Sequence, residues 1–144
     1  MAQYYLPEGL PLPGFSPDGV EAGFWEACKR HQLVIQLCAD CGTFRHTPQF
    51  ICHKCLSSNF EWKEVGDRGV VYSFMNVNHP AHPALTDRVP FNIISVELVD
   101  APGIRMIGNL VDATYEEIHI GMDVRVCWED HPEADITVPR WQRA

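Results

Sequence analysis

The sequence predicts a mainly β protein in which an N-terminal helix and a rubredoxin-like zinc ribbon precede a five-stranded barrel. Three observations lead to this prediction: two Cys-x2-Cys pairs in the first half, one helical apolar pattern before them, and repeated apolar–polar alternation after them. A chain of 144 residues can form one compact domain or two small ones. Hydrophobic residues make up 46% and charged residues 21% of the chain, which is ordinary for a globular protein.

The residue pattern divides the chain into four segments. Residues 1–17 are rich in Pro and Gly and follow no period, so we expect an extended arm that is loose or lies across a partner. Residues 18–66 should hold the helix and the ribbon, and residues 67–138 the barrel. Residues 139–144 are predicted to be a C-terminal tail.

One short amphipathic helix is predicted between the arm and the cysteines. Asp18 and Glu21 have the spacing of a capping box, and apolar residues then recur at helical spacing. Phe24 and Trp25 are the heaviest apolar residues of this helix, so we expect their face to pack in the core or against a partner. The helix should end near His31.

Alternating residues predict the strands. A strand over 33–37 leads into the first cysteine, and a Pro-Gly pair at 102–103 and Gly121 mark turns between later strands. Five short strands suggest a small closed barrel, and among all-β architectures a five-stranded Greek-key barrel of the OB type fits best. These strands are expected at 71–77, 92–98, 104–110, 120–128 and 136–138.

The cysteine motif is the strongest chemical signal. Cys38 and Cys41 form one Cys-x2-Cys pair, and Cys52 and Cys55 form the other. Residues 43–51 can fold back as a hairpin and bring the pairs together, so that four thiolates meet the tetrahedral preference of Zn(II). Because the protein would fill all four coordination positions, we expect one structural zinc ion per chain and no open position for a substrate.

Other interpretations of the same four cysteines remain open. They are disulfide bonds, a thiol redox pair, and iron held as in rubredoxin. The remaining two cysteines, Cys28 and Cys127, fall at helix-face and strand positions and are predicted to be buried, inert thiols.

A search for catalytic motifs finds little. The chain has no Gly-x-Ser-x-Gly elbow, no phosphate-binding loop and no Gly-x-Gly-x-x-Gly motif. His79 and His82 lie in one loop and can act on a substrate or contact a partner, although a loop histidine held by its backbone is commoner. The acidic pair Glu129 and Asp130 is predicted to be solvated surface.

The charge distribution argues against nucleic-acid binding. The chain has 19 acidic and 11 basic residues, for a net charge of −8, and residues 69–144 hold eleven acids and five bases. No Lys or Arg cluster is present to neutralise phosphates. The apolar runs are far shorter than the ~20 residues that span a bilayer, and the N-terminus does not have the pattern of a secretory signal. We therefore expect a cytoplasmic protein, with reduced thiols and no membrane partner.

The order of these motifs resembles the zinc-ribbon/OB-fold family catalogued as domain of unknown function thirty-five. Members of that family carry a Phe-Trp pair on an N-terminal helix, then a strand, two Cys-x2-Cys knuckles and a barrel. Phe24-Trp25, the strand at 33–37 and the four cysteines follow this order here. The resemblance continues through residues 61–65 and 69–74 and covers about 105 positions.

The resemblance implies an accessory subunit rather than an enzyme. Family members accompany thiolase-fold enzymes, including thiolases, acyltransferases, steroid side-chain aldolases and hydroxymethylglutaryl-CoA synthase assemblies. They stabilise the partner and help to form its acyl-CoA site, while the partner supplies the catalytic residues. We therefore expect this chain to bind a thiolase-fold subunit in a hetero-oligomer and to meet acyl-CoA through that complex. The candidate contacts to the partner or to CoA are Phe24, Trp25, His79, His82, Phe91, Arg140 and Trp141.

Two other functions remain open. A stand-alone acyl-CoA-binding module would hold its ligand on the barrel face and in the loop at 76–90. A nucleic-acid-binding OB protein would need exposed aromatic residues in a basic groove, which the acidic balance of residues 69–144 disfavours.

Overall fold

Residues 4–144 are described by a computed structural model, in which one α-helix and eight strands form a three-stranded sheet and a five-stranded barrel. This confirms the predicted fold class. Helix α1 spans Ala22–Lys29. The strands are β1 (Val34–Cys38), β2 (Phe44–Arg45), β3 (Phe60–Glu64), β4 (Arg68–Val77), β5 (Phe91–Leu98), β6 (Arg105–Gly108), β7 (Asp123–His131) and β8 (Ile136–Arg143).

Helix α1 begins later than the sequence pattern predicts. Glu21 is its N-cap and makes no side-chain capping bond, so the predicted capping box of Asp18 and Glu21 is wrong. The residues before the helix form a tight turn instead, in which the Gly19 N–H donates to the Ser16 carbonyl at 2.8 Å. This turn leaves Asp18 exposed, where water can solvate its carboxylate. The buried face of the helix does match the prediction, since Phe24 is only 6% exposed.

The ribbon sheet has the order β2-β1-β3 and is antiparallel throughout. Strand β1 pairs along its whole length with β3, from Val34 opposite Glu64 to Cys38 opposite Phe60. The short strand β2 returns beside β1, with Phe44 opposite Leu37. This pairing brings the segment that follows the first cysteine pair back along β1, as the predicted hairpin requires.

The second sheet has the order β6-β5-β4-β7-β8 and closes almost completely on itself. Its two edges meet where Leu110, just after β6, forms a parallel bridge to Trp141 of β8. Two backbone hydrogen bonds make this join, from Val111 N–H to the Trp141 carbonyl at 2.9 Å and from Trp141 N–H to the Asn109 carbonyl at 3.0 Å. A five-stranded barrel closed by one parallel pair is the OB arrangement that the strand pattern predicts.

Strand β4 pairs with two neighbouring strands, β5 and β7. It pairs with β5 along most of its length and with β7 only over residues 68–70. The pairing with β5 shifts between Val71 and Ser73, which is a β-bulge that bends the strand. Gly69 of β4 lies against the Val96 side chain of β5. A Cβ at position 69 would overlap that side chain, so only glycine fits there.

Several strand boundaries differ from the prediction, and those of β7 and β8 change the interpretation most. Strand β7 begins at Asp123, and Ile120, predicted to lie in that strand, is in the preceding turn and 69% exposed. Strand β8 continues through Arg143, so residues 139–143 form a strand and not a tail. Pro139 has no N–H to donate and therefore argues against a strand in the sequence. The structure accommodates it because β8 is at the edge of the sheet and has only β7 as a full-length neighbour.

One continuous core joins the two parts of the chain. Its centre is Trp141, which is 1% exposed. Residues of the helix and ribbon, including Phe24 and Ile35, belong to the same buried cluster as the barrel residues. The surrounding barrel members are Val71, Ile94, Val96, Leu98, Met106, Leu110, Val124 and Val126.

Polar contacts at the end of α1 reinforce the join. Lys29 Nζ lies 2.8 Å from Asp135 Oδ2, and His31 Nε2 lies 2.9 Å from Asp130 Oδ1. The His31 ring stacks on Trp128 of β7 with a centroid distance of 5.5 Å. The ribbon is therefore held against the barrel by both buried and surface contacts.

Within residues 4–144, no helix is both long and apolar enough to cross a lipid bilayer.

Removing the Trp141 ring should open the centre of the barrel. We expect Trp141→Ala to lower the free energy of unfolding by about 3–5 kcal/mol, because a large buried ring is lost and its cavity collapses only in part. Urea unfolding followed by circular dichroism measures the change. Phe50→Ala is the matched control, since Phe50 is 65% exposed and should be nearly neutral. Equal losses in the two variants would contradict the central role of Trp141.

Candidate functional sites

The four predicted metal-ligating cysteines come together at the tip of the ribbon. Their Sγ atoms all lie within 4.8 Å of one another. Cys38 Sγ is 3.5 Å from Cys55 Sγ, and Cys41 Sγ is 3.6 Å from Cys52 Sγ. A tetrahedral site with metal–sulfur bonds near 2.3 Å needs sulfurs about 3.8 Å apart, so four thiolates placed in this way fit one metal ion. The same separations are much longer than the about 2.05 Å of a disulfide bond.

The backbone around the cysteines forms two similar knuckles. In the first, the Gly42 N–H donates to the Cys38 carbonyl at 3.0 Å, and in the second the Leu56 N–H donates to the Cys52 carbonyl at 3.0 Å. Gly42 and Leu56 have positive φ values of 71° and 63°, so each knuckle closes through a left-handed residue. Glycine suits this role and Leu56 does not, which indicates that the surrounding knuckle holds Leu56 in place.

Backbone N–H groups also point at the sulfurs and favour the thiolate form. The N–H groups of Cys55 and Lys54 lower the pKa of Cys52 to about 6. The N–H groups of Cys41 and Asp40 lower the pKa of Cys38 in the same way. Thiolates are the form that binds a metal, so the fold prepares these two cysteines for that role.

The remaining two cysteines, Cys28 and Cys127, are not among the four that converge. Cys28 is fully buried in the core, and burial raises its pKa to about 12, so the prediction of a buried, inert thiol is confirmed. Cys127 is only partly buried, so the same prediction is wrong for its burial. Its pKa is nevertheless raised by desolvation, which keeps this thiol protonated as well.

The seven residues predicted to contact a partner or CoA lie in different parts of the fold. Arg140 borders two cavities of about 920 and 810 Å³, and none of the other six residues lines either of them. Phe24 and Trp141 fill the core and have almost no surface to offer a partner. Trp25 is half-buried and stacks on Phe15, with the ring centroids 6.4 Å apart. Phe91 is half-buried at the start of β5.

The two loop histidines have different surroundings. His82 is held by its own backbone, because its Nδ1 accepts a hydrogen bond from the Ala84 N–H at 3.1 Å and caps a 3-10 turn. His79 is exposed. The commoner interpretation of a loop histidine therefore holds for His82.

Arg140 belongs to a polar network that sequence reasoning missed. Its Nη2 lies 3.0 Å from Glu129 Oε1, and its Nη1 donates to Asn109 Oδ1 at 2.6 Å. Glu129 also bonds to His131 Nε2 at 2.8 Å. The side chains of Arg140, Glu129 and His131 are 13%, 11% and 5% exposed, so the prediction that Glu129 is solvated surface is wrong, whereas its neighbour Asp130 is exposed.

Burial and hydrogen bonding act in opposite directions on Glu129. Burial alone would raise the pKa of its carboxyl group, but hydrogen bonds from Arg140, from the Tyr5 backbone and from His131 outweigh that effect and lower the pKa. The carboxylate therefore stays charged inside the network. The alternation of β7 places Glu129 and His131 on one face, and this is the only signal in the sequence that relates the two residues.

The N-terminal arm docks on this network. The Tyr5 N–H donates to Glu129 Oε2 at 2.9 Å, and the Tyr5 carbonyl accepts from Arg88 Nε at 2.9 Å. The Arg88 guanidinium lies 4.4 Å from the centre of the Tyr5 ring, and the Tyr5 hydroxyl accepts from Asn92 at 2.9 Å. Tyr4 stacks on His131 at 3.9 Å. From Tyr4 onward the arm is thus attached to the barrel of its own chain.

Two known protein families together match most of the chain. The family described as "ChsH2, rubredoxin-like zinc ribbon domain" matches residues 25–61, and the family described as "ChsH2, C-terminal OB-fold domain" matches residues 62–129.

Three curated relatives are similar to this chain. A "DUF35 domain-containing scaffold protein" of Methanocaldococcus jannaschii is 32% identical over 119 residues, which are 78% of this chain and 82% of that protein. A "Probable enoyl-CoA hydratase alpha subunit" of Thermomonospora curvata is 39% identical over 90% of this chain. A "3-oxo-4,17-pregnadiene-20-carboxyl-CoA hydratase alpha subunit" of Mycobacterium tuberculosis is 37% identical over 88% of it. The chain spans only 39% of the length of each of the two hydratase subunits.

Solved structures resemble the whole fold. A chain of the "Ltp2-ChsH2(DUF35) aldolase" superposes with a TM-score of 0.78 and 35% identity, covering 92% of this chain and 98% of that one. A DUF35 protein of unknown function from Sulfolobus solfataricus superposes with a TM-score of 0.61 at 14% identity over 88% of this chain and 87% of that one, which shows a shared fold.

The buried ion pair yields a stability prediction. We expect Arg140→Met to lower the free energy of unfolding by about 1–3 kcal/mol, because the Glu129 carboxylate would lose its guanidinium partner and keep only its bonds to Tyr5 and His131. Arg105→Met is the control, since its ion pair with Glu97 is about half exposed and should contribute less than about 1 kcal/mol. Chemical unfolding of both variants measures the difference, and an Arg140→Met protein as stable as the control would contradict the buried pair.

Proposed function

The chain belongs to the DUF35 family, in which a ChsH2-type zinc ribbon precedes an OB-fold domain, and from this premise we propose that it is a non-catalytic accessory subunit of a thiolase-fold enzyme acting on acyl-CoA. The partner would be a thiolase, an acyltransferase or a steroid side-chain aldolase. The chain would stabilise that partner and help to form its acyl-CoA site.

The structural match to the aldolase complex carries this proposal. A chain of that complex resembles this protein over 92% of its length at 35% identity, so the two share the ribbon, the barrel and their arrangement. One relative is named as a scaffold protein and two as alpha subunits, which is consistent with work in an assembly. Two of these relatives are named for CoA thioester substrates, and this supports acyl-CoA as the substrate class of the complex.

The surroundings of His131 do not suit a general base, which supports a non-catalytic role. His131 is buried, and both of its ring nitrogens face carboxylates, with Nε2 at 2.8 Å from Glu129 and Nδ1 at 3.3 Å from Glu133. The Tyr4 ring covers its face at 3.9 Å. A general base must reach the proton that it removes, and this imidazole is enclosed by its own chain. We therefore propose that the catalytic residues belong to the partner.

The metal would serve structure rather than chemistry. We propose one Zn(II) per chain, held by Cys38, Cys41, Cys52 and Cys55 in a site with no open coordination position. Four thiolates suit zinc, and zinc binding would stabilise a ribbon whose own sheet has only three short strands. A cytoplasmic location, which we also propose, would keep the thiols reduced. The ribbon would then correspond to residues 18–66 and the barrel to residues 67–143, since β8 ends at Arg143.

A second candidate function is a stand-alone acyl-CoA-binding module. A cavity of about 810 Å³ between the arm and the barrel favours it, because this volume suits a small-molecule ligand. Aliphatic residues from both sides line the cavity, among them Leu6, Leu10, Leu12, Leu85 and Val138.

The metal site can be tested by substitution. We expect Cys38→Ser and Cys52→Ser each to lose close to one zinc ion per chain and to destabilise the ribbon, because three thiolates cannot fill a tetrahedral site. Metal content is measured by inductively coupled plasma mass spectrometry on the purified full chain. Cys127→Ser is the control and should keep the metal, because this cysteine is not among the four that converge. Unchanged metal content in both ribbon variants would rule out the four-thiolate site.

The accessory role can be tested by co-purification. We expect the tagged chain, expressed in its native host, to retain a thiolase-fold enzyme in a fixed stoichiometry, identified by mass spectrometry. The metal-deficient Cys38→Ser chain is the control and should retain less of that enzyme. A chain that is isolated alone and that binds an acyl-CoA in calorimetry would favour the stand-alone acyl-CoA-binding module. Turnover of acyl-CoA by the isolated chain would contradict a non-catalytic role.

A further inference from the structure

Arg45 in the ribbon carries a buried charge that no carboxylate balances. The residue is only 4% exposed. Its Nε donates to Gln36 Oε1 at 2.7 Å and its Nη2 donates to the Gln49 carbonyl at 3.1 Å, so both of its partners are neutral. Its Nη1 is buried without a hydrogen-bond partner, and within residues 4–144 no acidic side chain forms an ion pair with it. A guanidinium cannot lose its proton in a protein, so the buried charge calls for a nearby anion.

The strand register shows where that guanidinium lies. Arg45 is opposite Gln36 on β1, and Cys38 is two residues further along on the same face of that strand, where alternate Cα atoms are roughly 7 Å apart. The guanidinium is also 5.6 Å from the centre of the Phe60 ring, and Phe60 is the residue opposite Cys38. Arg45 and Cys41 line the same cavity beside the ribbon tip. These observations place the guanidinium on the face of the ribbon sheet that also holds Cys38, and at the cavity that Cys41 lines.

The side-chain amide of Gln36 fixes Arg45 in this position. Gln36 is 1% exposed, and its Oε1 accepts from the Gln49 N–H at 2.8 Å as well as from Arg45. The Gln36 Nε2 donates back to the Gln49 carbonyl at 2.9 Å. Because both ends of the Gln36 amide are engaged, the Arg45 guanidinium has little freedom to turn away from the cluster.

We propose that Arg45 is the internal counter-charge of the metal centre. A divalent ion with four thiolates has a net charge of −2, which is the anion that this buried guanidinium otherwise lacks. The inference rests on the proposed metal site and adds a residue outside its ligands. Lys54 is the other cation close to the cysteines, but it is exposed, so water and salt screen its effect.

Zinc affinity tests this role in the full chain. The probe is zinc alone, measured by competition with a chromophoric chelator at one fixed pH and salt concentration. We expect Arg45→Met to weaken zinc binding roughly tenfold or more, while Arg45→Lys, which keeps the charge but not the planar fork, should weaken it less than Arg45→Met does. Lys54→Met is the matched control because it removes an exposed charge. Its zinc affinity should stay within about threefold of the wild type.

Iron substitution separates charge from packing. With iron in the four-cysteine site, loss of a nearby positive charge should make the Fe(III)/Fe(II) reduction potential of Arg45→Met more negative, while Arg45→Lys keeps the wild-type value. Should Arg45→Met not fold, Arg45→Gln is measured in its place. Weaker zinc binding without a change in potential would assign Arg45 to packing and overturn the counter-charge, as would equal zinc affinity in all variants. A wild-type chain that binds no metal would overturn the metal centre itself and the counter-charge with it.

Discussion

Closure of the barrel at Trp141 is the constraint on which the rest of the structure depends. The Trp141 backbone joins the two sheet edges, through its N–H to the Asn109 carbonyl and its carbonyl to the Val111 N–H. The side chain of the same residue fills the centre of the core. Because side chains alternate along a strand, a residue that points inward at 141 places its neighbour, Arg140, on the outside. There Arg140 meets Glu129 and anchors the network on which the N-terminal arm docks.

Each part of the chain holds a guanidinium largely away from water, Arg140 at 13% and Arg45 at 4% exposure, and the two charges are compensated differently. In the barrel, Arg140 faces the Glu129 carboxylate, which neighbouring donors keep ionised. In the ribbon, Arg45 has only neutral amide and carbonyl partners beside a cluster of four cysteines. A buried charge is stable only when an opposite charge is near, so the ribbon arrangement makes sense once the sulfurs are thiolates around a metal ion. The same electrostatic rule thus applies to the network on the outer face of the barrel and to the proposed metal site in the ribbon.

Local patterns in the sequence predicted much of the fold and the ribbon site. Cysteine spacing identified four residues whose sulfurs converge within 4.8 Å, and apolar alternation identified all five barrel strands. The errors came from features that local patterns do not encode. In place of the predicted Asp18–Glu21 capping box the chain forms a tight turn closed between Ser16 and Gly19, and Pro139 suggested a tail where β8 continues. Adjacent acids suggested a solvated pair, yet the Glu129 side chain is only 11% exposed.

The sequence by itself determined the class of the protein, because the spacing of a metal knuckle and the period of a strand are properties of short segments. The tertiary structure alone decided that Trp141 is the core rather than an interface anchor, and that Tyr5 docks beside Arg88 and Glu129. It also decided that Arg45 is buried beside the cysteines. The physical reason is distance along the chain. Tyr5 and Glu129 are 124 residues apart, and no period in the sequence records a contact that exists only after the barrel has closed.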